Sequence, residues 1–201
     1  VIASVKFARK AVDAGVDAVV AEGFEAGGHN GREETTTLVL VPMVRDAVPV
    51  PVIAAGGIAS GRAMLAAMAL GADGVQVGSR FVCSEESSAH PAFKEHVAQS
   101  NEGDTLLTLK ELAPVRLMRN RFFTEVQEAY ARGASVEELK TLLGRGRAKR
   151  GMFEGDLVDG ELEIGQVSGA IRDIKPAAAI VADILTEYRT ARASMAQGDG
   201  F

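Results

Sequence analysis

Four short apolar runs near the start of the chain, VIASV, DAVVAEG, PVPVIAAGG and DGVQVGSRFV, are separated by stretches of helical character. Their residues are apolar throughout instead of alternating, as in strands of a parallel sheet covered by helices on both faces. The intervening stretches agree. KFARKAVDAG ends on Gly15 as a C-cap, and SGRAMLAAMALGA closes at Gly71. TTTLVLVPMVRDAV carries Pro42, which should bend the helix or mark its true start. The even strand spacing suits a (β/α) barrel at least as well as an open sheet. A complete barrel needs eight strands and about 250 residues, so four strands correspond to the C-terminal half of a TIM (β/α)8 barrel. Val1 opens directly on a strand, which reads as the middle of a larger protein.

After residue 88 the pattern changes. HPAFKEHVAQS, TLLTLKELA, NRFFTEVQEAYARG and SVEELKTLLG read as successive helices, with Ser135 and Glu138 forming a capping box. KRGMFEGDLVDGELEIGQ is Gly- and acid-rich and reads as loop. IKPAAAIVADILTEYRTAR has Pro176 near its first turn and an apolar stripe, as expected of a final helix lying on the barrel, and SMAQGDGF reads as a frayed tail. The expected organisation is therefore an α/β half-barrel over residues 1–88. A helical appendage over 89–201 follows, its last helix packing back on the barrel.

Composition narrows the function classes. The net charge of −5 argues against a nucleic-acid surface, which needs surplus Lys and Arg, and GRGRAKRG is short enough to be a solvated loop. No apolar run approaches the roughly 18 residues of a membrane span, and VIASVKFARK lacks the form of a signal peptide. Cys83 is the single cysteine and has no base beside it, which suits a packed thiol in a reducing compartment. A soluble, cytoplasmic protein is expected. No His/Cys/Asp group has metal-ligand spacing, so no metal is expected.

Three strand ends carry glycines: AEGFEAGGH, IAAGGIASG and VQVGSRF. In parallel α/β folds the carboxyl ends of the strands face the ligand. Gly56 and Gly57 would let backbone N–H groups approach an anion, and the helix starting near Ser60 would add positive partial charge. Gly78 and Ser79 would supply a further amide and a hydroxyl. Each glycine could instead serve a tight turn, but two neighbouring strand ends so equipped favour a phosphate site.

EAGGHNG, PVIAAGGIASGRAMLAAMALGADGVQVGSRF and ELEIGQVSG, in this order and spacing, resemble the nitronate monooxygenase (2-nitropropane dioxygenase) family. That family shares its FMN-binding barrel with the FMN-dependent enoyl-acyl-carrier-protein reductases. The resemblance covers Val1 to about Ser88 and resumes over Glu161 to Ser168. It implies FMN, with the phosphate held by Gly57 and by Gln76, Val77, Gly78 and Ser79, and with Glu22 and the Gly27–Gly28 pair against the flavin. Such proteins more often carry threonine at position 79, and serine keeps the hydroxyl. Many nitronate monooxygenases have glutamine at position 22, where glutamate resembles the reductases.

His29 matches the family's histidine after the glycine pair. The glycines would remove side chains between backbone and flavin and leave this imidazole as the main polar reach into the pocket. An imidazole gains and loses protons near neutrality. His29 could therefore take a proton from carbon beside a nitro group, stabilise a nitronate, or donate a hydrogen bond to a thioester carbonyl. Help of this kind is worth roughly 10²–10⁴-fold. Glu25, Glu33 and Glu34 could orient it or simply be solvated, Thr35–Thr37 should cap the next helix, and Gln166 could return to the pocket mouth. His90 and His96 read as surface or capping residues.

The leading expectation is an FMN-dependent oxidation of alkyl nitronates with O2 to carbonyl compounds and nitrite. The alternative is an enoyl-thioester reductase using NAD(P)H, even though no GxGxxG fingerprint is present. A third is a non-catalytic half-barrel or phosphate-binding module. A half-barrel would leave sheet edges and apolar surface open, which invites a homodimer and predicts weak FMN binding by this chain alone.

Overall fold

A computed structural model describes residues 1–198. Helix α1 (Val5–Asp13) starts where the Ser4 hydroxyl accepts the Phe7 N–H, and Gly15 turns the chain out of it. Because Ser4 caps a helix so early, the first expected strand is reduced to one parallel bridge between Ile2 and Ala21. Strands β1 (Val19–Glu22), β3 (Val52–Ala55) and β4 (Gly74–Gln76) form a parallel sheet in the order β1–β3–β4. Helices α2 (Thr37–Arg45) and α3 (Gly61–Ala69) cover it, and α2 continues through Pro42 without breaking. Ala8, Val19, Leu40, Val41, Val44, Val52 and Ala54 make the core beneath this layer.

The register decides where the site lies. Glu22 pairs with Ala55 and Ala55 with Gln76, so three strands running the same way end side by side. β4 is shorter than expected. It stops at Gln76, and Ser79–Val82 forms the short helix α4. The Ser79 hydroxyl accepts the Gly165 N–H, and Arg80 is buried against Asp173, so tertiary partners turn this segment away from the sheet.

The second half departs most from expectation. α5 (Pro91–Ala98), α6 (Arg121–Ala131) and α7 (Val136–Leu143) are helices, and α7 carries the capping box. TLLTLKELA is not helical. It forms β5 (Thr105–Thr108) and a turn, and pairs antiparallel with β6 (Val115–Met118). Its leucines mimic a helical period, but Thr105 and Thr108 are both buried. Leu109 takes a left-handed turn at φ 53°, and Pro114 lies just ahead of β6. The third strand of this sheet, β2 (Gly28–His29), comes from the glycine–histidine loop and lies on the other edge of β6. The region after residue 88 is thus helices around an antiparallel sheet, not a purely helical appendage. No closed barrel forms among the described residues.

The segment expected to be loop contains a π-helical turn at Lys149–Phe153 and leads into a 3-10 turn at Gln166–Ala170. GRGRAKRG is more than a solvated loop. Arg147 donates to the carbonyls of Leu142, Leu143 and Asp159 and stacks on Phe122. Helix α8 (Ala177–Gln197) packs on α3 so closely that a Cβ on Gly61 would lie 2.1 Å from the Tyr188 nitrogen. Glu187 accepts the Gly61 N–H at 2.7 Å. Ser194–Gln197 belongs to this helix instead of fraying, and residues 199–201 of the expected tail lie outside the described residues.

Candidate active site

A cleft of about 200 Å³ opens at the carboxyl ends of the parallel strands, where ligands bind in parallel α/β folds. Glu22 from β1, Gly56 and Gly57 after β3, and Gln76, Gly78 and Ser79 after β4 line one wall. Gly27 and Ala26 close one end, while Met152, Glu163, Ile164 and Val167 from the late segment form the opposite side. Seven residues singled out from the sequence thus meet in one cavity, and Gly57 and Gly78 open to the same rim.

Among the described residues, nothing accepts a hydrogen bond from the backbone N–H groups of Gly57, Gly78 or Ser79. These are three donors at neighbouring turns, and the N-terminus of α3, capped by the Ser60 hydroxyl, follows directly. A Cβ added at Gly78 would meet nothing within 4 Å, so open space lies beside that turn. Such an array suits an anion, because unpaired amides and a helix N-terminus both favour negative charge.

The loop from Phe24 to Asn30 is held from three sides. The Glu25 carboxylate accepts the Thr37 N–H and hydroxyl at 3.0 Å, so it caps α2 in place of the threonines expected to do so. It is therefore neither solvated nor turned toward His29. The buried Arg116 donates to the Phe24 carbonyl at 2.7 and 3.1 Å and lies 4.9 Å from the Phe24 ring centre. The Asn30 amide donates to the carbonyls of Ala26 and Gly28.

The glycine pair also answers to packing. A Cβ on Gly27 would lie 2.4–2.6 Å from the backbone of Ile164 and Gly165, and one on Gly28 would lie 2.6 Å from Glu163 Oε2. Gly28 also holds φ +74°. These residues are small so that the late segment can pack against the loop. Gly28 and Val77 lie outside the cleft lining; Val77 packs into the core below the sheet.

His29 also stands outside the cleft. It is exposed and lines an adjoining pocket with Leu109, Val115, Arg147, Glu161 and Glu163. The polar side chains that reach into the cleft are Glu22, Gln76, Ser79 and Glu163. Burial raises the carboxyls of Glu22 and Glu163 above the ordinary range, and the nearby His29 partly opposes this at Glu163. Glu161 is pushed up to about 7, first by burial and then by the neighbouring Glu163 charge, with Arg147 opposing.

Sequence reasoning pointed to Gln166, but its side chain is exposed and only its N–H is engaged, with the Glu25 carbonyl. Glu163 was the residue missed. Its signal is the acidic–apolar alternation of ELEIG, within a segment whose Gly- and acid-rich composition points to a loop. His90 caps α5 through Nδ1, and Cys83 is fully buried with its thiol pushed up to about 11 by burial. No described helix is long and apolar enough to cross a membrane.

Residues 1–187 match the family model described as nitronate monooxygenase. A Staphylococcus saprophyticus relative named "Probable nitronate monooxygenase" is 42% identical over 125 residues, 57% of this chain and 35% of that protein. The Mycobacterium tuberculosis protein Rv1533 is 37% identical over 194 residues, 90% of this chain and 50% of that one. The chain therefore spans half the length, or less, of these curated relatives. Among solved structures, FabK from Thermotoga maritima aligns with TM-score 0.89 and 44% identity over 96% of this chain and 61% of its own. A nitroalkane oxidase from Streptomyces ansochromogenes aligns with TM-score 0.78 and 33% identity over 96% of this chain and 58% of its own.

Proposed function

Because this chain belongs to the nitronate monooxygenase family, we propose that it carries the FMN site of an oxidoreductase that converts alkyl nitronates and O2 to carbonyl compounds and nitrite. In this reading its parallel strands are the C-terminal half of a (β/α)8 barrel. The observation that carries the proposal is the rim of unpaired N–H groups at Gly57, Gly78 and Ser79 beside open space.

The residues present fit FMN. The three amides would hold its phosphate, with the Ser79 hydroxyl already engaged by Gly165. Glu22, Gly27 and Gln76 line the part of the cleft left for the ring system. Bound there, FMN would supply the electron chemistry. The chain's own residues orient the substrate, exclude water through Met152, Ile164 and Val167, and manage protons through His29 and the neighbouring carboxyls.

A second reading, reduction of an enoyl thioester with NAD(P)H, is favoured by Glu22 at the cleft wall and by the likeness to FabK, an enoyl-acyl-carrier-protein reductase. One pair of assays separates them. Nitrite release from an alkyl nitronate, with a flavin spectrum that NADPH leaves oxidised under anaerobic conditions, is the expected result. Bleaching by NADPH with turnover of an enoyl thioester would replace the first reading by the second.

A further inference from the structure

The pocket beside the cleft holds two carboxyls and no partner for either. Its volume is about 200 Å³, and it runs from exposed residues His29, Ala113 and Gly146 to the buried Glu161, which is only 7% exposed. Leu109, Leu112, Val115 and Leu143 make its walls aliphatic, and Glu163 lines it as well. Glu163 bridges Leu117 on β6, and residues two apart along an extended chain point the same way. Glu161 and Glu163 therefore share the pocket, while Leu162 between them is buried in the core. Among the described residues, no hydrogen bond or ion pair engages either carboxyl. Arg147, the one arginine or lysine lining the pocket, turns its guanidinium to the carbonyls of Leu142, Leu143 and Asp159 and stacks on Phe122.

We propose that this pocket binds a primary alkylammonium ion, with the ammonium group between Glu161 and Glu163 and the alkyl chain along the leucine walls. Ionised carboxylates only accept hydrogen bonds, so the floor calls for a donor. A positively charged donor also offsets the cost of burying two like charges side by side. An ammonium group is compact and carries three donors. The aliphatic walls favour an ion that brings hydrocarbon with it over a bare one. Burial, and then the Glu163 charge, pushes Glu161 up to about 7 with Arg147 opposing, so near neutrality an arriving ammonium displaces a proton from it. His29 and Glu163 are the other titratable groups facing the pocket. This site goes beyond the flavin reading and stands or falls without it, although Glu163 also lines the cleft and brings the bound charge to its edge.

The test is isothermal titration calorimetry of the full chain with n-butylammonium chloride at pH 8 and fixed ionic strength. Saturable binding of a single ion per chain is expected, and its absence would overturn the proposal. Each buried methylene should tighten binding about fourfold, so ethylammonium should bind at least about tenfold more weakly. Equal affinity for the two would mean that the walls contribute nothing, and butan-1-ol binding as tightly as the cation would mean that the carboxyls contribute nothing; either result overturns the proposal. Both comparisons need only the wild-type chain. Glu161→Gln and Glu163→Gln should each weaken binding at least about tenfold through loss of a charge-assisted bond, with the urea midpoint reporting that the variant is folded. Glu102→Gln removes an exposed carboxylate outside the pocket and should leave the affinity unchanged. Equal loss in Glu102→Gln, or none in a folded Glu161→Gln, would refute the assignment. At pH 7, titration in two buffers of different ionisation heat should show release of about half a proton per bound ion, because a carboxyl at about 7 is half protonated there. That release should persist in His29→Asn and vanish in Glu161→Gln; release that vanishes with His29 instead would overturn the role given to Glu161.

Discussion

Replacing Gly78 by alanine separates a ligand site from a packing requirement. Gly78 has φ −102° and ψ −75°, outside the left-handed region, so an alanine is sterically admissible there. The added methyl would meet no protein atom within 4 Å, and fold stability should change by no more than about 0.5 kcal/mol, the usual range for a surface site. The same methyl would stand at the rim where the N–H groups of Gly57, Gly78 and Ser79 point toward the proposed phosphate. Displacing the phosphate from one or two of these donors forfeits charge-assisted bonds worth about 1.5–3 kcal/mol each. Since about 1.4 kcal/mol is tenfold in affinity, FMN should bind at least about tenfold more weakly, and up to about a hundredfold if one full bond is lost. Quenching of flavin fluorescence on titration gives the affinity, and the urea midpoint without flavin gives the stability. Unchanged FMN affinity in a stably folded Gly78→Ala protein would refute the placement of the phosphate.

Gly27→Ala should do the opposite. Its Cβ would press to within 2.4–2.6 Å of the Ile164–Gly165 backbone, so urea denaturation should show a loss of about 1–3 kcal/mol. Glu161, pushed up to about 7, ionises more readily in the unfolded chain, so its contribution to stability is full below pH 4.5 and is lost as pH rises toward 7. Glu161→Gln should flatten the urea midpoint across that window, recovering on the order of 2–3 kcal/mol near neutrality; a wild-type midpoint that rises with pH there and is unaltered by the substitution would contradict the assignment. Cys83, buried with its thiol near 11, should resist iodoacetamide at pH 8 in the folded protein and react after denaturation, as mass spectrometry would show.

Much of this molecule is legible in the residues themselves, and the limits follow from the range of the interactions. The apolar runs around Val19–Glu22 and Val52–Ala55 and the helices after them are local patterns, so they could be read directly. The gathering of Glu22, Gly56 and Gln76 could be read too, because parallel strands in register necessarily end at one rim. TLLT could not, because its leucines satisfy a helical period while the pairing with Val115–Met118 that makes it a strand lies beyond any local window. Sequence alone placed His29 behind two glycines and suggested that the gap served a flavin. Tertiary packing adds a second demand: Ile164 and Gly165 press against Gly27, and Glu163 lines both the cleft and the pocket that holds His29. Local pattern determines which segments become strands and where their glycine-bearing ends gather. Which side chain lines both cavities depends on a contact across more than a hundred residues of chain, and only the folded structure decides it.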